Sequence, residues 1–142
     1  MSDVMARIML TRRHPGKPDA VLADVTGAHS QTLGAMVART RIGTTCTLWM
    51  DSIKALGGVA QITRVRPDAF LVDVLVGTHM LEVVAPARGN EIIVLHPSAA
   101  RARRSGIAHA ASLIDSSEAA ATAHAWVRHQ ALAHGWELRR QV

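Results

Sequence analysis

The sequence predicts an α+β domain in which an antiparallel β-meander, either an open sheet or a small barrel, carries a C-terminal α-helix. Three observations predict this fold class. Apolar and β-branched residues form strand-length runs between residues 44 and 96, and short breaks with turn chemistry separate them. An alanine-rich helical pattern follows at residues 116–134. Since 142 residues is an ordinary size for one domain, we expect a single domain over residues 1–142.

Two strands and a short helix are predicted before the meander. Met5–Leu10 and Ala20–Thr26 have strand-like composition, and a loop rich in proline and glycine separates them. Apolar residues then recur at helical spacing, which predicts a short helix within residues 28–41.

The meander is predicted to contain five strands. They are Thr44–Met50, Val59–Val65, Ala69–Val76, His79–Ala85 and Glu91–His96. Short breaks between strands imply antiparallel neighbours. The two-residue turn Gly77-Thr78 sets the register of one hairpin, so we expect Asp73 to lie directly opposite Glu82.

Both faces of this hairpin are largely apolar. One face carries Phe70, Val72, Val74, Val76, Leu81, Val83 and Ala85, and the other carries Leu71, Asp73, Leu75, Met80, Glu82 and Val84. Because the second face also needs cover, we expect the C-terminal helix to pack on the face of Asp73 and Glu82.

The C-terminal helix is predicted over Ser116–His134. Asp115 has the position of an N-cap, with Glu118 three residues later as in a capping box. Gly135 has the position of a left-handed C-terminal cap. We expect the helix to bury Ala123 and Val127.

Two further segments are less sharply specified. The alanines of Ser98–Ile114 favour a helix, whereas Ser105-Gly106 can turn a hairpin, so both alternatives stay open. Trp136–Val142 is long enough for a final short strand.

Composition narrows the function classes. The single cysteine, Cys46, excludes an internal disulfide and a cysteine-rich zinc site, and it suits a reducing compartment. No apolar run approaches the roughly 18 residues that a membrane-spanning helix needs. We therefore expect a cytoplasmic or virion protein without membrane contact.

Charge indicates a class of partner. There are 16 lysines and arginines against 11 acidic residues, a net charge of +5, and only Lys17 and Lys54 are lysine. Arginine suits phosphate recognition, but without tyrosine and with one phenylalanine the chain has little to stack on bases. We expect sequence-independent polyanion binding through Arg12, Arg13, Arg101, Arg103 and Arg104.

One polar cluster is a candidate site of a different kind. If residues 86–90 close the next hairpin, His96 lies diagonally from Glu82, on the face that also carries Asp73. Two carboxylates and a histidine can bind a hard cation or perform acid–base chemistry. The alternative is that arginines or water neutralise the carboxylates. Because the chain has no recognised nucleophile or nucleotide motif, we assign no catalytic residues, metal or cofactor.

Together these patterns favour a non-enzymatic binding or assembly module. We expect an oligomeric, basic structural protein in a larger complex or a virion, with other protein subunits as partners and its basic surface facing nucleic acid or acidic protein. The alternative is a small-ligand sensor or small enzyme that uses the face of Asp73, Glu82 and His96.

Overall fold

A computed structural model describes residues 7–13, 16–51, 58–89, 91–103 and 106–140, with the backbone alone at 51, 102 and 103. The strands are β1 (Arg7–Arg12), β2 (Ala20–Asp24), β3 (Thr45–Asp51), β4 (Val59–Arg66), β5 (Ala69–Val76), β6 (His79–Val84), β7 (Ile92–Val94), β8 (Ile107–His109) and β9 (Glu137–Arg140). The α-helices are α1 (Ser30–Ala38), α2 (Pro97–Arg103) and α3 (Ser116–His129), and short 3₁₀ turns cover Pro86–Arg88 and Ala110–Ser112.

Seven of these strands form one antiparallel sheet. Their order is β2-β1-β3-β4-β5-β6-β9, and β7 and β8 form a separate two-stranded sheet. This arrangement confirms the α+β fold class and the meander. The sheet is open, because β2 and β9 are its two edges and do not pair with each other. The barrel alternative is therefore wrong.

The elements at the start of the chain agree with the predicted order. β1 begins at the first described residue and extends two residues beyond the predicted end, while β2 is shorter than the predicted strand. α1 lies within the predicted helical range, and His29 occupies its N-cap position.

The strands from β3 to β6 confirm the central part of the meander. β5 has the predicted bounds, β4 and β6 differ by one residue at one end, and β3 is shifted by one residue at both ends. The tight turn of this hairpin requires a positive φ, and Gly77 has a φ of +61°, which glycine adopts more easily than any other residue. The register places Asp73 opposite Glu82, as expected.

The predicted fifth strand of the meander is in the wrong place. Of the predicted Glu91–His96, only Ile92–Val94 forms a strand, β7, which pairs with β8 instead of β6. The chain turns away after β6, where Ala85 N donates to Ala111 O at 3.0 Å. The position beside β6 is taken by β9, which puts Arg139 opposite Glu82.

The segment Ser98–Ile114 contains both of the alternatives that the sequence left open. It forms most of α2 and then β8, which pairs back onto β7. These elements build a second, smaller core with the underside of the sheet, made of Val65, Ala69, Leu71, Leu95, Ala99 and Ala108. They therefore cover the sheet face that also holds Asp73 and Glu82.

α3 packs on the other sheet face, so the expectation for its position is wrong. The main core joins α1 and α3 to the sheet through Ile62, Phe70, Val72, Val74, Ala119, Ala123 and Val127, among others. α3 also lies close to α1, since a Cβ added to Gly34 would lie 3.1 Å from the Ser116 carbonyl carbon. The alanine stripe thus serves a close contact with α1 and the sheet, and the burial of Ala123 and Val127 is confirmed.

α3 begins where predicted and ends earlier. Asp115 Oδ1 accepts a hydrogen bond from Glu118 N at 2.7 Å, which confirms the N-cap. The helix closes at Gln130, whose φ of 49° is left-handed and whose N–H donates to Trp126 O at 2.7 Å. The predicted end at Gly135 is wrong, because ending at Gln130 lets Leu132 and Trp136 pack against the main core.

None of the helices in the described ranges is long and apolar enough to cross a bilayer.

Candidate functional site

One end of the large sheet collects arginines from several stretches of the chain. Antiparallel pairing makes β1 and β4 end where β3 and β5 begin. Two hydrogen bonds fix the connecting loops there, from Arg13 N to Thr45 O at 2.9 Å and from Gly43 N to Arg64 O at 2.7 Å. We call this region the basic end and define it by Arg12, Arg13, Arg39, Arg41, Arg66 and Arg101.

α2 joins the basic end through a close backbone contact. Gly43 has a φ of +87°, and a Cβ added there would lie 2.5 Å from the Ser98 Cβ. Only glycine fits this position without displacing α2. Because Ser98 lies one helical turn before Arg101, the contact brings that arginine to the end of the sheet that carries Arg39 and Arg41.

Arg64 is the internal support of this end. Its Nη1 donates to Ala38 O at 3.1 Å and also to Thr40 O, while its Nη2 donates to Pro67 O at 2.6 Å. Its guanidinium carbon lies 5.8 Å from the centre of the Phe70 ring. One half-buried arginine therefore ties the C-terminus of α1 to the turn between β4 and β5.

The arginines of the basic end present their charge to solvent. Arg12, Arg39, Arg41, Arg66 and Arg101 are exposed, and Arg13 is half-buried. Arg12 and Arg13 also make contacts within the chain. Exposed guanidinium groups from several separate elements can contact successive phosphates of a polyanion without reading its bases.

The structure brings together part of the predicted polyanion site. Arg12, Arg13 and Arg101 belong to the basic end. Arg103 continues α2, but its side chain lies outside the described residues, as does all of Arg104.

Three arginines of the basic end are not among the residues that the sequence predicts for polyanion binding: Arg39, Arg41 and Arg66. Their positions after α1 and at the end of β4 were a usable signal, because antiparallel strand order brings such ends together.

The second candidate site is the buried acidic pair of Asp73 and Glu82, whose residues are 1% and 0% exposed. Glu82 Oε2 accepts hydrogen bonds from Ser112 Oγ at 2.7 Å and from His109 N at 3.2 Å. The His109 imidazole also contacts this oxygen through Nδ1. Two donors and an imidazole contact from one short stretch of chain therefore compensate a fully buried carboxylate.

A row of polar residues extends from this pair across the sheet. Gln61 of β4 lies opposite Asp73, and Arg139 of β9 lies opposite Glu82. The Arg139 guanidinium is bound to Glu137, with distances of 3.0 Å from Nε and 2.8 Å from Nη2 to Oε1. Asp73 and Glu82 each make further contacts within the chain.

His96 does not join the acidic pair. It is exposed before α2, where its Nδ1 accepts a hydrogen bond from Ser98 N at 3.1 Å. His109 takes the place that the sequence analysis gave to His96. No local pattern could have identified His109, because its position depends on the pairing of β8 with β7.

The chemistry open to the acidic pair is limited. Ser112 donates to the carboxylate and not to the histidine, which differs from the order of a nucleophilic triad. Within the described ranges, no group of three or more histidine, cysteine, aspartate or glutamate residues could hold a metal ion. Cavities of about 280, 340 and 450 Å³ on the described surface are lined by other residues.

Cys46 is not a reactive thiol. It is 1% exposed within β3, and burial raises its pKa to about 11, an effect that the positive charge of Arg12 partly opposes. A nucleophilic cysteine needs the opposite shift. The thiol therefore acts as a small apolar core group.

The chain matches no protein-family model, no curated protein and no solved structure.

Proposed function

We propose that this protein is a non-enzymatic binding and assembly module whose basic end binds the phosphate backbone of nucleic acid. One observation carries the proposal. Exposed arginines from β1, the loop after α1, the end of β4 and α2 lie at the same end of the sheet.

The physical basis is charge neutralisation. A guanidinium group binds phosphate through two parallel hydrogen bonds and stays charged at every working pH. Binding to several phosphates releases condensed counterions, which makes the affinity fall with salt. Because the chain has few aromatic residues for base stacking, we expect sequence-independent binding weaker than about 1 μM at physiological salt.

A small-ligand sensor or small enzyme is the second candidate. The contact of Glu82 with His109 favours it, because a carboxylate-oriented histidine is a common general base. The complete burial of Glu82 and its bond to Ser112 favour a structural role instead. We therefore assign the acidic pair to the stability of the fold.

The size and basic charge of the chain also bear on where such a module would act. A basic, nucleic-acid-proximal module of this size suits a component of a larger complex with other protein subunits, in the cytoplasm or in a virion. Electrostatic contacts of this kind position a subunit on nucleic acid without selecting a sequence.

A pair of charge-matched variants tests the proposal. Arg39→Gln/Arg41→Gln removes two charges from the basic end. Arg128→Gln/Arg140→Gln removes two charges from the opposite end of the sheet. Arg128 lies there because the carbonyl of its neighbour Val127 accepts a hydrogen bond from Gly58 N, just before β4 begins. Arg140 lies there because it is opposite Leu81, near the start of β6. Binding of a fluorescent DNA duplex would be measured by anisotropy at low salt.

We expect the first variant to lose about tenfold or more in affinity, and the second to stay within about threefold of the wild type. Equal losses in the two variants would contradict a localised site. Binding to polyglutamate without binding to the duplex would assign the basic end to an acidic protein and overturn the nucleic-acid proposal.

A further inference from the structure

Among the residues that the structure describes, β7 is hydrogen-bonded along one edge only. Leu95 N donates to Gly106 O at 2.9 Å, and Ala110 N donates to Glu91 O at 2.8 Å. These bonds bracket the β7–β8 ladder, in which Ile93 lies opposite Ala108. Because hydrogen-bonded pairs alternate along an antiparallel ladder, the backbone groups of Ile92 and Val94 point away from β8.

The two outer edges of this small sheet differ. The edge of β8 meets the large sheet, where His109 N donates to Glu82 Oε2 at 3.2 Å. On the edge of β7, no described residue forms a hydrogen bond with the backbone N–H or C=O of Ile92 or Val94. The side chains of these two residues are 53% and 82% exposed. The outer edge of β7 is therefore both open and apolar.

The edges of the large sheet carry the usual protection against strand pairing. On β2, the register shift leaves Leu22 without an opposite residue on β1, which makes a bulge. β9 is short and carries Glu137, Arg139 and Arg140. Bulges and charges blunt an edge strand, whereas the three residues of β7 provide neither.

We infer that β7 pairs with β7 of a second copy of this chain, in an antiparallel arrangement about a two-fold axis at Ile93. Ile92 then lies opposite Val94 of the second copy, and the reverse holds by symmetry. This register joins all the outward N–H and C=O groups of both copies. If the register were shifted by one residue, the outward groups of Ile92 or Val94 would face Ile93 of the second copy, whose backbone groups are already bonded to β8.

The side chains favour the same occupant. Ile92 and Val94 lie on one face of the strand, so the two-fold pairing brings four β-branched side chains together on the exposed face. β7 carries no charge that would repel its own copy. A partner strand must be uncharged and apolar to match this edge, and β7 itself meets both conditions.

The short edge sets the strength of the contact. Three residues a side bury far less than the roughly 1,000 Å² expected of a stable interface. The dimer should therefore be weak and dependent on concentration. It would carry two basic ends, so a polyanion that holds both copies raises their effective concentration.

Sedimentation equilibrium in the absence of nucleic acid tests this inference separately from the proposed function. We expect a Kd of about 1 mM for the wild-type dimer, so that about half of the chains are in the dimer when the total chain concentration reaches about 1 mM. Val94→Lys should be monomeric under the same conditions, because each copy would place a charge in the paired edge. Val21→Lys is the matched control on β2, where the valine is 61% exposed, and it should dimerise like the wild type.

A second variant controls for the fold. Ile92→Pro removes an outward N–H without removing a bond to β8, and it should also be monomeric with an unchanged circular dichroism spectrum. Wild-type protein that remains monomeric at about 1 mM would overturn the inference. A dimer that survives Val94→Lys, or one that Val21→Lys abolishes, would do the same.

Discussion

Asp73 of β5 lies directly opposite Glu82 of β6, and the two residues are only 1% and 0% exposed. Carboxylates in direct cross-strand contact repel each other, and burial removes their hydration. Ser112 and His109 compensate Glu82 from the segment that covers this sheet face. Glu82 therefore fastens the covering segment to the sheet.

Glu82→Ala should lower the free energy of unfolding by about 3 kcal/mol, because it leaves the buried donors of Ser112 and His109 without their acceptor. Glu82→Gln should cost less, since its amide oxygen can still accept one of these bonds. Urea denaturation followed by circular dichroism measures both changes. Ser112→Ala, which removes one donor, should cost about 1 kcal/mol. A Glu82→Ala variant as stable as the wild type would contradict a stabilising role for this carboxylate.

Arg64→Lys should destabilise the protein by about 1–2 kcal/mol. A lysine ammonium cannot reproduce the fork that joins Ala38 O to Pro67 O. Thermal denaturation measures the change, with the exposed neighbour Arg66→Lys as a control that should stay within about 0.5 kcal/mol of the wild type. Equal stability of the two variants would remove Arg64 as the support of the basic end.

Asp115→Ala should cost about 1 kcal/mol, because the N–H of Glu118 loses its capping carboxylate. Ser117→Ala is a suitable control, since Ser117 is exposed in the same first turn and has no capping role. The comparison is made by thermal denaturation at neutral pH. A melting temperature unchanged by Asp115→Ala would contradict the capping role.

Cys46 should make the protein less stable at high pH. Burial raises the pKa of the folded thiol from 9.0 to about 11, so the folded state holds its proton more tightly than the unfolded state. The stability is therefore fully present below about pH 9 and falls as the pH rises towards 11, by on the order of 2 kcal/mol.

The chain has no tyrosine to titrate in that range, and Cys46→Ala shares every other group that does. Urea midpoints between pH 8 and 11 should fall in the wild type, and the same profile should be flatter in Cys46→Ala. Parallel profiles in the two proteins would contradict the assignment to this thiol.

The hairpin of β5 and β6 could be predicted because its information is local. A two-residue turn and alternating apolar residues determine which side chains face one another. The N-cap at Asp115 could be predicted for the same reason, since a cap and its partner lie three residues apart. These local patterns located both members of the acidic pair.

The neighbours of that hairpin could not be predicted, because they come from distant parts of the chain. β9 reaches β6 from the C-terminus, while β7 leaves to pair with β8. Single-sequence patterns do not encode such pairings, so they predict His96 beside Glu82, whereas the structure has His109 there. The end of α3 was missed because Gln130 adopts a left-handed conformation that usually indicates glycine.

The most direct test of the basic end is the salt dependence of nucleic-acid binding. For the wild type, the logarithm of the association constant for duplex DNA should fall linearly with the logarithm of salt concentration. The slope should become shallower by about 2 in Arg39→Gln/Arg41→Gln, because each lost phosphate contact removes about 1. It should be unchanged in Arg128→Gln/Arg140→Gln. Wild-type binding that does not vary with salt, or one slope shared by all three proteins, would contradict the proposed function.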